Sequence, residues 1–210
     1  MGTHKIKRRP FFQIILLIII LVNSGCPKPC LTSGNYSFNV NVQITPDKDS
    51  VQIGDTIFLI SSFPDSLIDQ SSGQLVEYNN SKGIGNTLSI SIILPGDTLA
   101  TGAVLNFDYL SINGKIYNNN TIPNPDQFQQ ITYQEFNKMY VLKVGLIAKK
   151  TGNYVFGLSD GVGINSGCSN ASFNISINNT NQHFYLIQEW IPGDVLDDYG
   201  KRHVYYFKVY

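Results

Sequence analysis

The feature that most constrains this chain is a strict alternation of apolar and polar residues in several short segments. The first segment alternates apolar side chains with asparagine and other polar residues from Tyr36 to Ile44. Similar runs lie at Leu88–Leu94, Tyr140–Ala148 and Phe173–Ile177. A period of two residues is that of a β-strand with one buried face, whereas an amphipathic helix repeats every 3.6 residues. These runs therefore predict half-buried strands.

Turn-forming residues separate the alternating runs. The predicted turns are 46–49 (Pro-Asp-Lys-Asp), 95–97 (Pro-Gly-Asp) and 149–153 (Lys-Lys-Thr-Gly-Asn). Further strands are predicted around Val51 and Ile53, at Thr56–Ile60, at Tyr154–Leu158 and at Val204–Tyr210. Many short strands between such turns, without a long helical repeat, are typical of an all-β protein built as one antiparallel β-sandwich.

Two intervals lack the alternation. Residues 105–137, rich in Asn, Gln and Pro, are predicted to form an elaborated hairpin and a long loop, with a helical turn near 133–136. Residues 182–202 form a second insert, and the glycine-rich residues 157–167 are predicted to be a loop that leads to Cys168. Long loops are uncommon in compact domains unless they are functional or mobile. We therefore expect a sandwich with long inserted loops.

Composition excludes some classes of partner. Lys and Arg total 15 and Asp and Glu total 15, so no net field attracts nucleic acid. Only 14% of the residues are charged, compared with roughly 25% in ordinary soluble domains. Asn, Ser, Thr, Gln and Gly supply the remaining polar surface. Such a surface suits a β-protein outside the cytoplasm.

The first 25 residues have the parts of a secretory signal. Basic residues at positions 5, 7, 8 and 9 precede the apolar run Phe11–Val22, and small residues follow at 24 and 25. A transmembrane helix needs about 20 apolar residues, and this run is shorter. We therefore predict a cleaved signal over residues 1–25, with an uncleaved membrane anchor as the alternative.

The residues at the predicted cleavage site, Val22–Cys26, resemble the lipobox of bacterial lipoproteins. In that family the cysteine receives a diacylglyceryl group before cleavage, which implies lipidation of Cys26, a tether over residues 26–35 and a membrane anchor formed by several acyl chains. Asn23 stands where the family prefers leucine, so an ordinary signal cleaved near Gly25 is the alternative. The implied location is the cell envelope at the outer membrane. The periplasmic face is favoured over the surface because no acidic run follows Cys26.

The chain has three cysteines, Cys26, Cys30 and Cys168. If Cys26 bears lipid, the other two are an even pair in an oxidising compartment, which predicts a Cys30–Cys168 disulfide. A Cys26–Cys30 bridge is the alternative in an unlipidated protein, although two prolines would strain so small a ring. Neither the cysteines nor the histidines have metal-ligand spacing, so no metal or cofactor is predicted.

Two further motifs resemble bacterial immunoglobulin-like domains. Residues 52–57 (Gln-Ile-Gly-Asp-Thr-Ile) resemble the entry to their second strand, and residues 150–156 (Lys-Thr-Gly-Asn-Tyr-Val-Phe) resemble the start of a late strand. The resemblance implies an immunoglobulin-like sandwich over residues 36–210, in which the Tyr154 hydroxyl bonds back to nearby backbone. The family's cysteine pair and core tryptophan are not at their usual strands, since the only tryptophan is Trp190. Such folds host many unrelated functions, so the resemblance indicates no activity.

The residues suited to catalysis do not form a recognisable motif. His183 and His203 lie in or beside predicted strands, and the chain has no Gly-x-Ser-x-Gly nucleophile elbow. We therefore assign no catalytic residue and predict a non-enzymatic protein. The alternative is an envelope hydrolase or a glycan-binding protein with its site in residues 105–137. This interval contains the acidic residues Asp108, Asp126 and Glu135. A glycoside hydrolase needs two carboxylates within about 10 Å across a cleft.

Four Asp-Ser/Thr-aliphatic tripeptides resemble the acceptor sequence of a general O-glycosylation system of some Gram-negative bacteria. The acceptors that this resemblance implies are Ser50, Thr56, Ser66 and Thr98. Turns that enter strands use the same residues, which is the alternative.

The late aromatic residues, including Tyr185 and Tyr205–Phe207, provide either core packing or a face that binds a glycan or a protein. The leading prediction is a membrane-anchored envelope lipoprotein that serves as a binding or structural module, with an envelope protein or a glycan as partner.

Overall fold

The computed structural model describes residues 35–94, 100–118, 124–165, 169–190, 201 and 203–210. Most of these residues are in strands, and the first strand follows the alternation predicted from its sequence. The strands are β1 (Asn35–Thr45), β2 (Ser50–Val51), β3 (Thr56–Pro64), β4 (Ser66–Ile68), β5 (Leu75–Glu77), β6 (Ser81–Ile93), β7 (Thr101–Gly102), β8 (Phe107–Asn113), β9 (Lys115–Tyr117), β10 (Phe128–Thr132), β11 (Gln134–Phe136), β12 (Met139–Ala148), β13 (Gly152–Leu158), β14 (Gly161–Asn165), β15 (Ser169–Ile177) and β16 (Val204–Val209). A 3₁₀ turn spans Val104–Asn106, and helix α1 spans Phe184–Trp190.

The strands form the two layers of a β-sandwich, which confirms the predicted all-β, immunoglobulin-like class. In one layer β12 lies between β3 on one edge and β8 and β11 on the other. The other layer is built around β6, which pairs with β13 and β14 on one edge and with β10 and β7 on the other. Strand β1 joins the layers, because its first part pairs in parallel with β15 and its last part pairs antiparallel with β3.

Aromatic side chains fill the space between the layers. One cluster centres on Phe173, whose ring centroid is 5.5 Å from that of Phe38, 5.8 Å from Phe63 and 5.9 Å from Tyr78. A second cluster joins Phe107, Tyr154, Phe156 and Phe207, all of which are buried. The alternating residues of the strands supply both clusters, so the core lies where the periodicity predicts it.

The interval 105–137 contains more strand than the sequence predicts. It forms β8, β9, β10 and β11. The prediction of a helical turn near 133–136 is wrong, because Gln134–Phe136 pairs antiparallel with Met139–Val141. Asn137 and Lys138, at φ of 50° and 62°, form the two-residue turn of this hairpin.

The glycine-rich residues 157–167 are also not the loop that the sequence predicts. Gly161–Asn165 forms strand β14 between β6 and β15. Gly161 and Gly163 are inward-facing positions of β14 at which a side chain does not fit. An added Cβ at Gly163 would lie 2.9 Å from the Phe173 ring, and one at Gly161 would lie 2.6 Å from a β6 carbonyl oxygen. The strand is not predicted because glycines stand at two of its inward positions, so that it lacks an apolar alternation.

The late insert contains helix α1, which covers the outer surface of the β6 layer. Leu186 and Ile187 pack against Ile93 and Tyr206. Tyr205 and Phe207 face the sandwich core on the other side of β16. All three aromatic residues of 205–207 are therefore buried, which agrees with core packing and not with an exposed aromatic face. In the described part of the chain, no helix is long and apolar enough to span a membrane.

Candidate functional site

Several predicted site residues lie outside the described part of the chain. They are Cys26, Cys30, Cys168 and Thr98. Lipidation, the disulfide and one glycosylation acceptor therefore stay predictions.

The other three predicted glycosylation acceptors lie where turns enter strands. Ser50 begins β2 and donates a hydrogen bond to Asp49 over 3.0 Å, and Ser66 begins β4 and donates to Asp65 over 3.3 Å. Thr56 begins β3. All three are half-buried. Their modification also stays a prediction.

The tyrosine corner implied by the immunoglobulin-like resemblance is present. The Tyr154 hydroxyl donates to the carbonyl oxygen of Lys150 over 3.0 Å and accepts from the Asn106 amide over 3.1 Å. Burial raises the pKa of this hydroxyl. Tyr154 thus fixes the turn before β13 to the end of the 3₁₀ turn.

The two histidines lie in separate places. His183 Nδ1 is 2.9 Å from the carbonyl oxygen of Tyr206, and its Nε2 is 3.9 Å from Asp47. This histidine therefore joins the residues before α1 to β16. His203 lies just before β16, with Nε2 3.2 Å from an oxygen of Asp160.

The three acidic residues of 105–137 do not converge on one point. Asp108 and Asp126 line the same groove, but Glu135 accepts hydrogen bonds from the Asn80 amide at 2.9 Å and the Tyr140 hydroxyl at 3.1 Å. Lys149 forms an ion pair with Asp108 at 2.8 Å. The three predicted carboxylates therefore do not form one site, because Glu135 lies apart and Asp108 is paired with Lys149.

We call the groove of Asp108 and Asp126 the aromatic groove. It has a volume of about 500 Å³. Its lining residues are Val104, Leu105, Phe107, Asp108, Tyr109, Tyr117, Asn118, Pro125, Asp126, Gln129 and Lys149.

Hydrogen bonds hold the walls of the aromatic groove together. The Val104 amide donates to the carbonyl oxygen of Asp126 over 2.9 Å, which ties the 3₁₀ turn to the residues before β10. The Asn118 side chain donates to the carbonyl oxygen of Pro125 over 2.9 Å. Tyr109 donates to the carbonyl oxygen of Val104 over 2.6 Å. These hydrogen bonds link the 3₁₀ turn to β8 and to the residues before β10.

The aromatic groove has apolar and polar residues both at its rim and on its floor. Leu105 is 70% exposed and Tyr117 is 44% exposed at the rim. Gln129 on the floor is buried, and its Oε1 has no hydrogen-bond partner within the described structure. A buried acceptor without a partner costs roughly 1–3 kcal/mol. Exposed apolar surface beside convergent polar groups is typical of ligand sites.

A second cavity, the polar pocket, has a volume of about 530 Å³. Its described lining residues are Asn39, Asn41, Asp160, Asn174, Ile175, Ser176 and His203. The parallel pairing of β1 and β15 places Asn39 opposite Asn174. Asp160 and His203 add one carboxylate and one imidazole to this wall of amides and a hydroxyl. The asparagines of both strands are visible in the sequence, but their convergence on one pocket depends on the pairing of β1 with β15.

The outer face of the β3–β12–β8 layer has exposed apolar side chains. Leu110 is 42% exposed and Ile112 is 46% exposed on β8. The Phe58 ring lies nearby on β3, and the Lys143 ammonium is 5.3 Å from its centroid. The outer face of a solvated antiparallel sheet is ordinarily polar. This apolar face is therefore a candidate surface for protein contact.

Comparisons with known proteins give only distant likenesses. No family model and no curated protein matches the chain. A cohesin module of a Clostridium perfringens family 33 glycoside hydrolase is 13% identical, with a TM-score of 0.32, over 67% of this chain and 99% of that module. The second type II cohesin module of the ScaA scaffoldin of Acetivibrio cellulolyticus is 10% identical, with a TM-score of 0.30, over 69% of this chain and 98% of that module. Scores this low support no conclusion about partners.

Proposed function

We propose that the chain is a lipid-anchored, non-enzymatic module of the bacterial cell envelope that binds a glycan in the aromatic groove. The sequence supports the anchor through the signal at residues 1–25 and the lipobox-like Val22–Cys26. The groove supports the ligand class. The observation on which the ligand class depends is the exposed Tyr117 ring beside buried and exposed hydrogen-bonding groups.

A sugar ring has an apolar face of C–H groups and an edge of hydroxyl groups. Tyr117 and Leu105 offer apolar surface for the first, and an aromatic ring provides it at a small cost in entropy. Asn118, Asp126 and Gln129 offer hydrogen-bonding groups for the second. A glycan therefore matches both the apolar residues and the hydrogen-bonding residues of the groove.

The same geometry favours binding over hydrolysis. Glycosidases use two free carboxylates that face each other across the scissile bond. Asp108 is in an ion pair with Lys149, and Glu135 lies elsewhere. Asp126 is then the only remaining acidic residue of the three predicted candidates.

A glycan array tests the ligand class. The protein is purified in detergent from the membrane fraction and applied to an array of bacterial and host glycans. We expect binding to a subset of glycans, and a signal roughly tenfold lower for Tyr117→Ala. Phe136→Ala is the matched control, because this ring is 62% exposed and is not among the groove residues. Absence of binding to every glycan, or equal binding by Tyr117→Ala, would contradict the proposal.

The apolar face of β8 supports a second candidate function, the binding of an envelope protein. Leu110→Glu places a charge on this face without altering the aromatic groove residues. If a protein docks there, cross-linking of that protein in intact cells falls in Leu110→Glu and is unchanged in Tyr117→Ala. The reverse result assigns the interaction to the groove.

Mass spectrometry of the N-terminal peptide tests the anchor. The proposal predicts that this peptide begins at an acylated Cys26. An unmodified Cys26, or an intact N-terminal segment of residues 1–25, would overturn the lipoprotein assignment without affecting the glycan site.

A further inference from the structure

The polar pocket differs chemically from the aromatic groove. Among its described lining residues there is no aromatic side chain other than the imidazole of His203. The formal negative charge among these residues is the carboxylate of Asp160. The lining therefore suits a hydrogen-bonding ligand better than an apolar one, and its charge disfavours an anion.

The carboxylate of Asp160 is fixed in place but remains partly exposed. Its Oδ1 accepts the backbone N–H of Ile175 at 2.9 Å and lies 3.2 Å from His203 Nε2. The side chain is 39% exposed. Both of these contacts use the same oxygen, and a carboxylate can accept about four hydrogen bonds. Asp160 therefore has capacity to accept hydrogen bonds from a ligand.

Asn174, next to Ile175 on β15, also offers an acceptor. The Asn174 amide nitrogen donates to Ser37 Oγ and to Asn39 Oδ1, each over 3.0 Å. An amide nitrogen has two protons, so these bonds use both of them. The carbonyl oxygen of the Asn174 side chain is then the atom that this residue can offer to a ligand.

We propose that the polar pocket binds a primary ammonium group, on a lysine side chain or on a small amine. An ammonium has three donors and no acceptor, which matches a pocket that presents the Asp160 carboxylate and the Asn174 oxygen. Hydrogen bonds between an ammonium and a carboxylate are stronger than neutral ones. The volume of about 530 Å³ lies within the roughly 300–1,000 Å³ of small-ligand sites. This inference does not depend on glycan binding.

Calorimetric titration of the full-length protein in detergent tests the ammonium site. The probes are acetyl-Gly-Lys-Gly-amide, the same peptide acetylated on the lysine Nε, and n-butylamine. We expect the unmodified peptide to bind at least about tenfold more tightly than the acetylated one. Butylamine that binds as tightly as the peptide identifies a small-amine site, and tighter binding of the peptide identifies a lysine site.

Asp160→Asn separates the charge from the structural role of this residue. The asparagine keeps an oxygen that can accept the Ile175 N–H, while the negative charge is lost. We expect peptide affinity to fall roughly tenfold or more. Asp126→Asn is the matched control, because it removes a carboxylate from the aromatic groove and is expected to leave peptide affinity unchanged.

Asn174→Ala provides a second variant that leaves Asp160 in place. Its affinity for the peptide is expected to fall about fivefold, because one acceptor of the ammonium is lost. The proposal is overturned if both peptides bind equally, if no amine binds, or if Asp160→Asn and Asn174→Ala both retain wild-type affinity.

Discussion

The polar pocket and the aromatic groove draw their residues from different parts of the fold. Most of the described pocket residues lie on β1 and β15, whose parallel register sets the position of each amide, whereas Asp160 and His203 lie just before β14 and β16. The groove is formed by the 3₁₀ turn, residues of β8, β9 and β10, the residues before β10, and Lys149 after β12. Paired strands thus give the pocket its row of amides, and Asp160, outside the strands, gives it a carboxylate. The groove combines aromatic, acidic and amide groups from strands and from irregular segments. The difference teaches that the regular strands supply repeated polar groups, whereas the charge in the pocket comes from a residue outside that repeat.

The largest expected effect is the loss of stability when a core side chain beneath the pocket wall is removed. Phe173 is buried among Phe38, Phe63 and Tyr78, and it directly precedes Asn174. Phe173→Ala should lower the free energy of unfolding by about 3–5 kcal/mol, measured by urea denaturation. The exposed control Phe136→Ala should change it by less than about 0.5 kcal/mol. A similar small change for both variants would show that the core is not packed as described.

The next effect separates the two cavities. Tyr117→Ala should weaken glycan binding by about 1.4 kcal/mol, a factor of ten, while amine binding in the polar pocket stays unchanged. Titration of this variant with each class of ligand is the measurement. Loss of both activities would mean that the pocket and the groove depend on each other.

Tyr154→Phe tests whether the tyrosine corner stabilises the 3₁₀ turn beside the groove. The variant loses the hydrogen bond to Lys150 and the one from Asn106, at the end of the 3₁₀ turn. We expect the free energy of unfolding, measured by thermal or urea denaturation, to fall by about 0.5–1.5 kcal/mol per hydrogen bond. Tyr210→Phe is the control, because Tyr210 is 66% exposed. Equal stability of the two variants would contradict a structural role for the tyrosine corner.

The smallest effect is confined to acid and concerns Asp69, which accepts a hydrogen bond from the Ser37 amide of β1. Hydrogen bonds from Ser71, the Ser37 amide and Ser72 hold the pKa of Asp69 well below its ordinary value of 3.8. A lowered folded-state pKa contributes stability that is present above the unfolded pKa and is lost as pH falls toward the folded pKa. Asp69→Asn should therefore show a flatter decline of stability below about pH 4 than the wild type. Parallel pH profiles of urea unfolding for the two proteins would contradict this role.

The sequence predicts the regular part of the fold well. Strands β1, β12, β13 and β15 lie where apolar alternation places them, because the apolar face of each is buried. Strand β16 lies where a terminal strand is predicted, although both of its faces are buried. Several elements are not predicted, and for two strands the reason is identifiable. Gly161 and Gly163 leave β14 without an inward apolar pattern, and the Asn137–Lys138 turn of β11 lacks the glycine that marks most two-residue hairpins.

The candidate sites were predicted less completely than the strands. The interval 105–137 was identified as a site region, and Asp108 and Asp126 do line one groove there. Lys149 could not be assigned to this groove, because its contact with Asp108 spans 41 residues of chain and depends on the pairing of β8 with β12. The polar pocket requires the β1–β15 register and the approach of Asp160 to His203, which local patterns do not specify.

The measurement that tests the central claim most directly is an NMR titration of the isotope-labelled, full-length protein in detergent micelles with a glycan selected on the array. The account predicts chemical-shift changes at Tyr109, Tyr117 and Gln129, with no change at Asn174 and Ser176. Shifts confined to Asn174 and Ser176, or to Leu110 and Ile112, would contradict a glycan site in the aromatic groove.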